Sequence, residues 1–313
     1  MLPSPQPLDF YRLVLKKIRG NFKHYKLEGE PSNIGMIGIE YESKFEPFKN
    51  KRREIKDFLI GEGYTDGISN LHQLMMVCKE VLFEYTSDLL YGEPVLDGGG
   101  LEVITHPCTY KAHQALYPEY ERILQVFDFL GFSDEFGGDG IHINVDKILL
   151  GDTIVEQNEC LAKMLWFFYK NCDFMVEISN RTAKDSGLVD IYTLLGDSFG
   201  NLHAEHLDEI FRTEKGSLLE ALGNSIEIKA LNIRVNRRGR PTLEFRWFGS
   251  TNKAAILMAM IEFMMALIDY CKVSLITDLQ IKRFSMFVSE NKDTYPLLLQ
   301  RLTEMKTTKN YFS

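Results

Sequence analysis

Residues 36–45 read MIGIEYESKF (Met36–Phe45). Ile37, Ile39 and Tyr41 alternate with Gly38, Glu40 and Glu42, the period-2 pattern of a strand with one apolar and one polar face. The two carboxylates share the polar face. Like charges that close repel each other unless something positive lies between them.

Three other segments repeat the pattern. In GLEVI, Glu102 is flanked by Leu101 and Val103. In GIHINV, His142 and Asn144 oppose Ile141, Ile143 and Val145. In LEFRWF, Glu244 and Arg246 oppose Leu243, Phe245 and Trp247. Taken singly, each polar face is the wet side of an antiparallel sheet. Gathered in one sheet, the four would bring several carboxylates and one imidazole together. Glycine-rich turns precede Glu102 and His142, and glycine lets backbone approach a ligand closely. An oxygen-rich set with a single imidazole suits Mg²⁺ or Mn²⁺, whereas zinc favours several His or Cys. Carboxylate-held metals are a common device for handling polyphosphate. Arg246, Arg234 and Arg181 are then candidates to neutralise a transferring phosphoryl group. No G-x-x-x-x-G-K-[ST] segment occurs, which excludes a P-loop.

The bulk numbers frame this reading. The chain has 313 residues, 45 % of them apolar, with 21 Phe and 14 Tyr, so a substantial core is expected. A formal net charge of −8 argues against a dedicated nucleic-acid binder. The basic stretch Asn232–Arg240 reads as a hairpin turn, with nucleic-acid contact as its rival. Five scattered cysteines without a C-x-x-C pair imply reduced thiols and a cytoplasmic location. The N-terminus lacks a signal-peptide layout. The run Ala254–Ile268 is interrupted by Glu262 and is shorter than the ~20 residues a membrane span needs, so it reads as a buried core helix.

Along the chain, residues 8–26 suggest a basic amphipathic helix, and 50–58 a solvated loop or short exposed helix. Apolar spacing predicts helices over 68–91, 118–132, about 153–175 and 252–272. Pro118 opens the second of these, and Gly131 closes it. Two strands flank NRRGR as a hairpin, and a charged helical tail follows residue 275. Strands in antiparallel-looking pieces with helices between them favour an α+β fold.

In order, GIEYE, DGGGLEVITHP, GIHINV, NR (Asn180–Arg181), KALNI and LEFRWFGST resemble the amidoligase family. That family belongs to the glutamine synthetase and glutamate–cysteine ligase superfamily of carboxylate–amine ligases. The blocks cover about residues 34–252. The resemblance implies one catalytic domain, a curved glutamine synthetase-like antiparallel sheet with helices behind it and an active site on the open face. Residues 8–26 and 276–313 would elaborate it. It implies ATP with Mg²⁺ or Mn²⁺ held by Glu40, Glu42, Glu102, His142 and Glu244. Arg246 would touch phosphate, with Arg234, Asn232 and Asn144 also on the nucleotide side. Lys229 and Asn232 match a K-x-x-N element, and Arg181 a family arginine; Arg246, Arg181 and Lys229 are the expected catalytic residues. The family's His-x-His is here His-x-Asn, so Asn144 replaces a group able to act as a base.

The expected reaction is ATP-dependent amide or isopeptide formation through an acyl phosphate. Its partners are a small-molecule, peptide or protein carboxylate and an amine. Glu93, Asp97 and Asp139 are candidates to deprotonate the amine, and Asp97 and Asp139 read equally well as turn residues. Phosphoryl transfer to a guanidino group on the same fold, and a non-catalytic binding protein, are the alternatives. His203 and His206 read as a solvated helix face or a metal pair. Cys108 reads as a buried or a reactive thiol, and Phe245, Trp247 and the methionines of 258–265 as core. Neither substrate nor oligomeric state is legible, and no membrane partner is expected.

Overall fold

The sheet is organised around β1 (Ile37–Phe45), flanked by β3 (Gly100–Ile104) on one side and β5 (Gly140–Asp146) on the other. β2 (Val95–Asp97) lies outside β3, and β6 (Thr242–Gly249) outside β5. The short β4 (Phe132–Ser133) pairs with Lys44 and Phe45 at the end of β1. The pairings among these strands are all antiparallel. The computed structural model describes residues 25–31, 33–45, 49–61, 74, 78, 95–97, 100–133, 140–180 and 242–308.

Cross-strand register gives the sheet two distinct faces. Ile39 lies opposite Ile143, Tyr41 opposite both Val103 and Ile141, and Ile143 opposite Phe245. All are buried, as are Ile37, Val145 and Leu243. Glu40 lies opposite His142, Glu42 opposite Glu102, and Asn144 opposite Glu244. Because side chains alternate, the apolar set can face only one way and the ionisable set only the other.

After β3 the chain keeps running beside β1. Pro107 offers no N–H, so the regular ladder stops at Ile104 and pairing becomes intermittent. The Thr105 N–H donates to Ile39 O at 2.8 Å, and Ile39 N–H donates to Thr105 Oγ1 at 2.9 Å. The Cys108 backbone then exchanges two bonds with Ile37, at 2.7 and 2.8 Å. Tyr25, expected to end a helix, instead forms a β-bridge with Cys108, because its N–H and carbonyl are taken by Pro107 and Thr109. Residues 8–24 of that expected helix lie outside the described residues.

Helices cover the apolar face: α1 (Lys49–Gly61), α2 (Tyr110–Ala115), α3 (Tyr117–Phe129), α4 (Ile154–Lys170), α5 (Cys172–Ile178), α6 (Ala254–Val273), α7 (Ile281–Glu290) and α8 (Pro296–Thr308). Phe127 of α3 meets Tyr41 edge to face at 4.9 Å. Phe168 of α4 meets Trp247 at 4.0 Å, and Phe263 of α6 meets Phe248 at 6.3 Å. One core runs from Ile37 to Met305, so α7 and α8 belong to it and are more than a charged tail. The architecture is mixed α+β.

Local chemistry sets the helix ends. Pro118 sits in the first turn of α3, and Gly131, at φ +81°, closes it in the left-handed region. Thr153 and Glu156 form a capping box at the start of α4. The single helix expected over 153–175 breaks at Asn171, whose Nδ2 donates back to Phe167 O at 2.7 Å. Of the two readings of 50–58, a solvated loop or a short exposed helix, the structure has the helix: the stretch is part of α1, partly exposed but with Ile55 fully buried, as is Leu59 just beyond it. Of the helix expected over 68–91, Leu74 and Cys78 are described, both helical and buried. The expected strand of residues 225–235 lies outside the described residues.

α6 has 20 residues, so it is longer than the run from which a core helix was read, and length alone does not exclude a membrane span. Its most apolar stretch is 83 % buried inside the fold, the placement of a core helix. Its Glu262 is buried with purpose. Glu262 Oε2 accepts from Leu298 N at 2.6 Å, at the unsatisfied N-terminus of α8. Burial pushes this carboxyl up to about 7, against the Leu298 and Leu297 N–H groups that pull it down. Beside it, the Tyr295 hydroxyl donates to Asp269 Oδ2 at 2.5 Å, and the Tyr110 hydroxyl donates to Thr294 O.

His113 of α2 is a second buried polar device. Nε2 faces Ile37 O at 3.0 Å and must donate, which leaves Nδ1 to accept from the Tyr120 hydroxyl at 2.5 Å. Burial holds this imidazole down to about 4, against the Ile37 carbonyl that favours its charged form. The unfolded chain, with a histidine near its ordinary 6.5, therefore binds more protons between pH 6.5 and 4. Stability is present above pH 6.5 and is lost as pH falls through that window. Denaturant unfolding of wild type should show a loss of about 2 kcal/mol from this group between pH 7 and 5. His113→Gln should flatten the difference between the two pH values by that amount. An unchanged difference would remove His113 as the cause.

Candidate functional site

The polar face of the sheet converges on His142. The ring is 2 % exposed and sits at the middle of β5, between β1 and β6. Nδ1 is 3.2 Å from Glu40 Oε2 and 3.4 Å from Glu244 Oε1, and Nε2 is 3.6 Å from Glu42 Oε2. Both ring nitrogens thus face carboxylate oxygens, from two neighbouring strands.

Asn144 sits two residues along β5 and donates from Nδ2 to Glu40 Oε1 at 2.9 Å. One oxygen of Glu40 is held by this amide and the other turns towards His142. Burial alone would raise the Glu40 carboxyl. The hydrogen bond and charge of His142, the Asn144 amide and the Arg246 charge outweigh it and hold the group below its ordinary value. Glu40 is therefore ionised at neutral pH and ready to ligate without first losing a proton.

Arg246 closes the cluster. Nη1 is 3.0 Å from Glu244 Oε1, and Nη2 is 3.8 Å from Glu42 Oε1. A bulge helps to place it. Ile141 pairs with Phe248 but Ile143 pairs with Phe245, so β6 spends one extra residue opposite His142. Arg246 stays on the polar face while Trp247 and Phe248 are both buried. The missed signal was in the sequence: apolar alternation through Leu243 and Phe245 breaks parity at the adjacent Trp247 and Phe248.

Of the five expected metal ligands, Glu40, His142 and Glu244 each offer an atom within 4.8 Å of the others. Glu42 stands at the edge of that set, against His142 and Arg246. Glu102 shares the face by its register with Glu42 and lies one strand further out. Two carboxylates and one imidazole, with a third carboxylate alongside, fit a hard divalent ion such as Mg²⁺ or Mn²⁺. Asn144 fits the role of an outer partner orienting a ligand. Glu40, Glu42 and Glu244 bring three carboxylates round His142, a set of negative charges that a divalent cation would neutralise.

Arg181, Lys229, Asn232 and Arg234 lie outside the described residues, as do Glu93, Asp139, His203 and His206. The backbone of Asp97 ends β2, and its side chain is likewise outside them. Cys108 is fully buried, burial pushes its thiol up to about 12, and its Sγ donates to His106 O at 3.3 Å, which makes it an inert thiol. Cys78, Cys160 and Cys271 are also free and buried.

The chain matches no family model, no curated protein and no solved structure.

An ion held by folded but not unfolded chain raises stability by about 2.7 kcal/mol at 100 times its dissociation constant, roughly 5 °C in melting temperature. Mn²⁺ should shift wild type by that order and leave Glu40→Gln and Glu244→Gln unshifted. A full shift retained in both variants would place the ion elsewhere.

Proposed function

We propose that the chain is an ATP-dependent carboxylate–amine ligase of the amidoligase type, on a glutamine synthetase-like sheet. The observation that carries this reading is the convergence of Glu40, His142 and Glu244 on one sheet face, with Arg246 against them. The order of sequence blocks from GIEYE to LEFRWFGST supports it.

A divalent ion held by Glu40, His142 and Glu244 would supply charge neutralisation and alignment for the phosphates of ATP. Arg246 carries the guanidinium that takes up charge on the transferring phosphoryl group. Asn144 keeps Glu40 in its ligating orientation. The substrate carboxylate oxygen attacks the γ-phosphorus, the bond to the β-bridging oxygen breaks, and ADP leaves. The amine nitrogen then attacks the acyl carbon, the carbon–oxygen bond to phosphate breaks, and the ammonium proton passes to a base. Asn144 cannot be that base, since an amide nitrogen has no lone pair available to take a proton at neutral pH.

Purified protein, Mg²⁺ and ATP, offered pools of amino acids, peptides and amines, should release ADP and phosphate together. Hydroxylamine in place of the amine should trap the acyl phosphate as a hydroxamate. Glu40→Gln should lower turnover about 100-fold or more, and Asn144→Ala by about 10- to 100-fold. ADP release without free phosphate, with the phosphoryl group found on a guanidino acceptor, would replace ligation by phosphotransfer.

A further inference from the structure

We propose that Arg246 is a built-in stand-in cation: without a divalent ion, its guanidinium bridges Glu244 and Glu42 and competes with the ion for their oxygens. The inference rests on the metal-site reading above and adds a competitor to it. The Glu244 oxygen touched by Arg246 Nη1 at 3.0 Å is the same Oε1 that lies 3.4 Å from His142 Nδ1. It therefore borders the proposed ion position directly. The second arm of the fork reaches over β5, from β6 to Glu42 on β1, at 3.8 Å.

The chemistry of the residue fits the task. A guanidinium is planar and offers paired N–H donors, so one side chain can engage two carboxylates at once. A lysine ammonium is a point charge on a shorter reach and can hold only one of them well. Burial is graded in a useful way. The Glu244 side chain is 6 % exposed and fixed at the floor, whereas those of Arg246 and Glu42 are 28 % and 23 % exposed. Arg246 and Glu42 are thus the outer members of the bridge, and Glu244 is the inner one. A divalent cation entering beside Glu244 must either displace the guanidinium or accept a positive charge next to it. Either way, Arg246 weakens ion binding, and by reciprocity the ion weakens the hold of the carboxylates on Arg246.

The test is Mn²⁺ uptake without nucleotide, read from the electron paramagnetic resonance signal of free Mn²⁺. The samples are wild type, Arg246→Met, Arg246→Lys and Glu40→Gln, each checked for folding by circular dichroism. Arg246→Met should bind Mn²⁺ about tenfold or more tightly than wild type, the coupling of two competing cations. Arg246→Lys, which keeps the charge but loses the two-armed contact, should fall between them. If Lys matches wild type, charge alone explains the effect and the bridging role is overturned. If Met matches wild type while Glu40→Gln still weakens uptake, the stand-in is overturned and the metal site survives. If Glu40→Gln leaves uptake unchanged, the metal site is wrong and the stand-in falls with it. Should Arg246→Met fail to fold, Arg246→Gln carries the same comparison.

Discussion

The register of β1 against β5 is the constraint on which the rest depends. Ile39 opposite Ile143 and Glu40 opposite His142 are consequences of one alignment. A slip of one residue would carry Glu40 and Glu42 into the helical layer and Ile39 and Tyr41 into water. Burying unpaired carboxylates is far too unfavourable for that alternative to compete. The apolar face thus enforces the geometry of the ionisable face, and the core specifies the site as surely as any polar contact does. Tyr41 adds a lock at the far end. Its hydroxyl lies 2.6 Å from Asn252 Oδ1 and 3.0 Å from the Thr251 carbonyl, while Asn252 Nδ2 donates to Phe132 O at 2.9 Å. That set ties β1 to the turn between β6 and α6 and to β4.

Much of this geometry was legible because strand alternation is a local signal. Parity places Glu40, His142 and Glu244 each on the polar face of its own strand, a common face once the strands share a sheet, and assigns Phe245 and Trp247 to the core. What could not be read depends on partners distant in sequence. The burial of Ile55 and Leu59 depends on the core that α1 faces, which the charged stretch 50–58 does not reveal. Asn171 ends α4 through a bond from its own side chain, a choice that apolar spacing does not encode. Glu262 looked like a flaw in an apolar run because its partner, the start of α8, lies 36 residues away. Tyr25 was assigned to a helix by amphipathic pattern, but its backbone groups were claimed by Pro107 and Thr109. Local propensity yields to tertiary hydrogen bonding in such places.

Within the cluster, opposing effects meet at short range. The carboxylates repel one another, and among the described residues the imidazole of His142, the amide of Asn144 and the fork of Arg246 relieve that repulsion. Asn144 matters most for its limits. It donates to Glu40 and takes no proton, so it fixes an orientation without introducing a second titrating ring into the cluster. A His-x-His strand would offer two protonation sites here. The His-x-Asn strand offers one.

The contact between Glu262 and the start of α8 also bears on the order of assembly during synthesis. α6 lies against α2, α3, α4, α7 and α8 and is the hub of the helical layer. Until residues 297 and 298 have left the ribosome, that hub carries a carboxylate with no backbone donors to receive it. Packing α6 early would bury an unsatisfied acid, whereas waiting exposes a long apolar helix. The nascent chain therefore has a built-in delay: its central helix reaches a fully satisfied resting place only when α8 arrives. A chain stalled before α8 would leave the long apolar helix α6 without one of its covers.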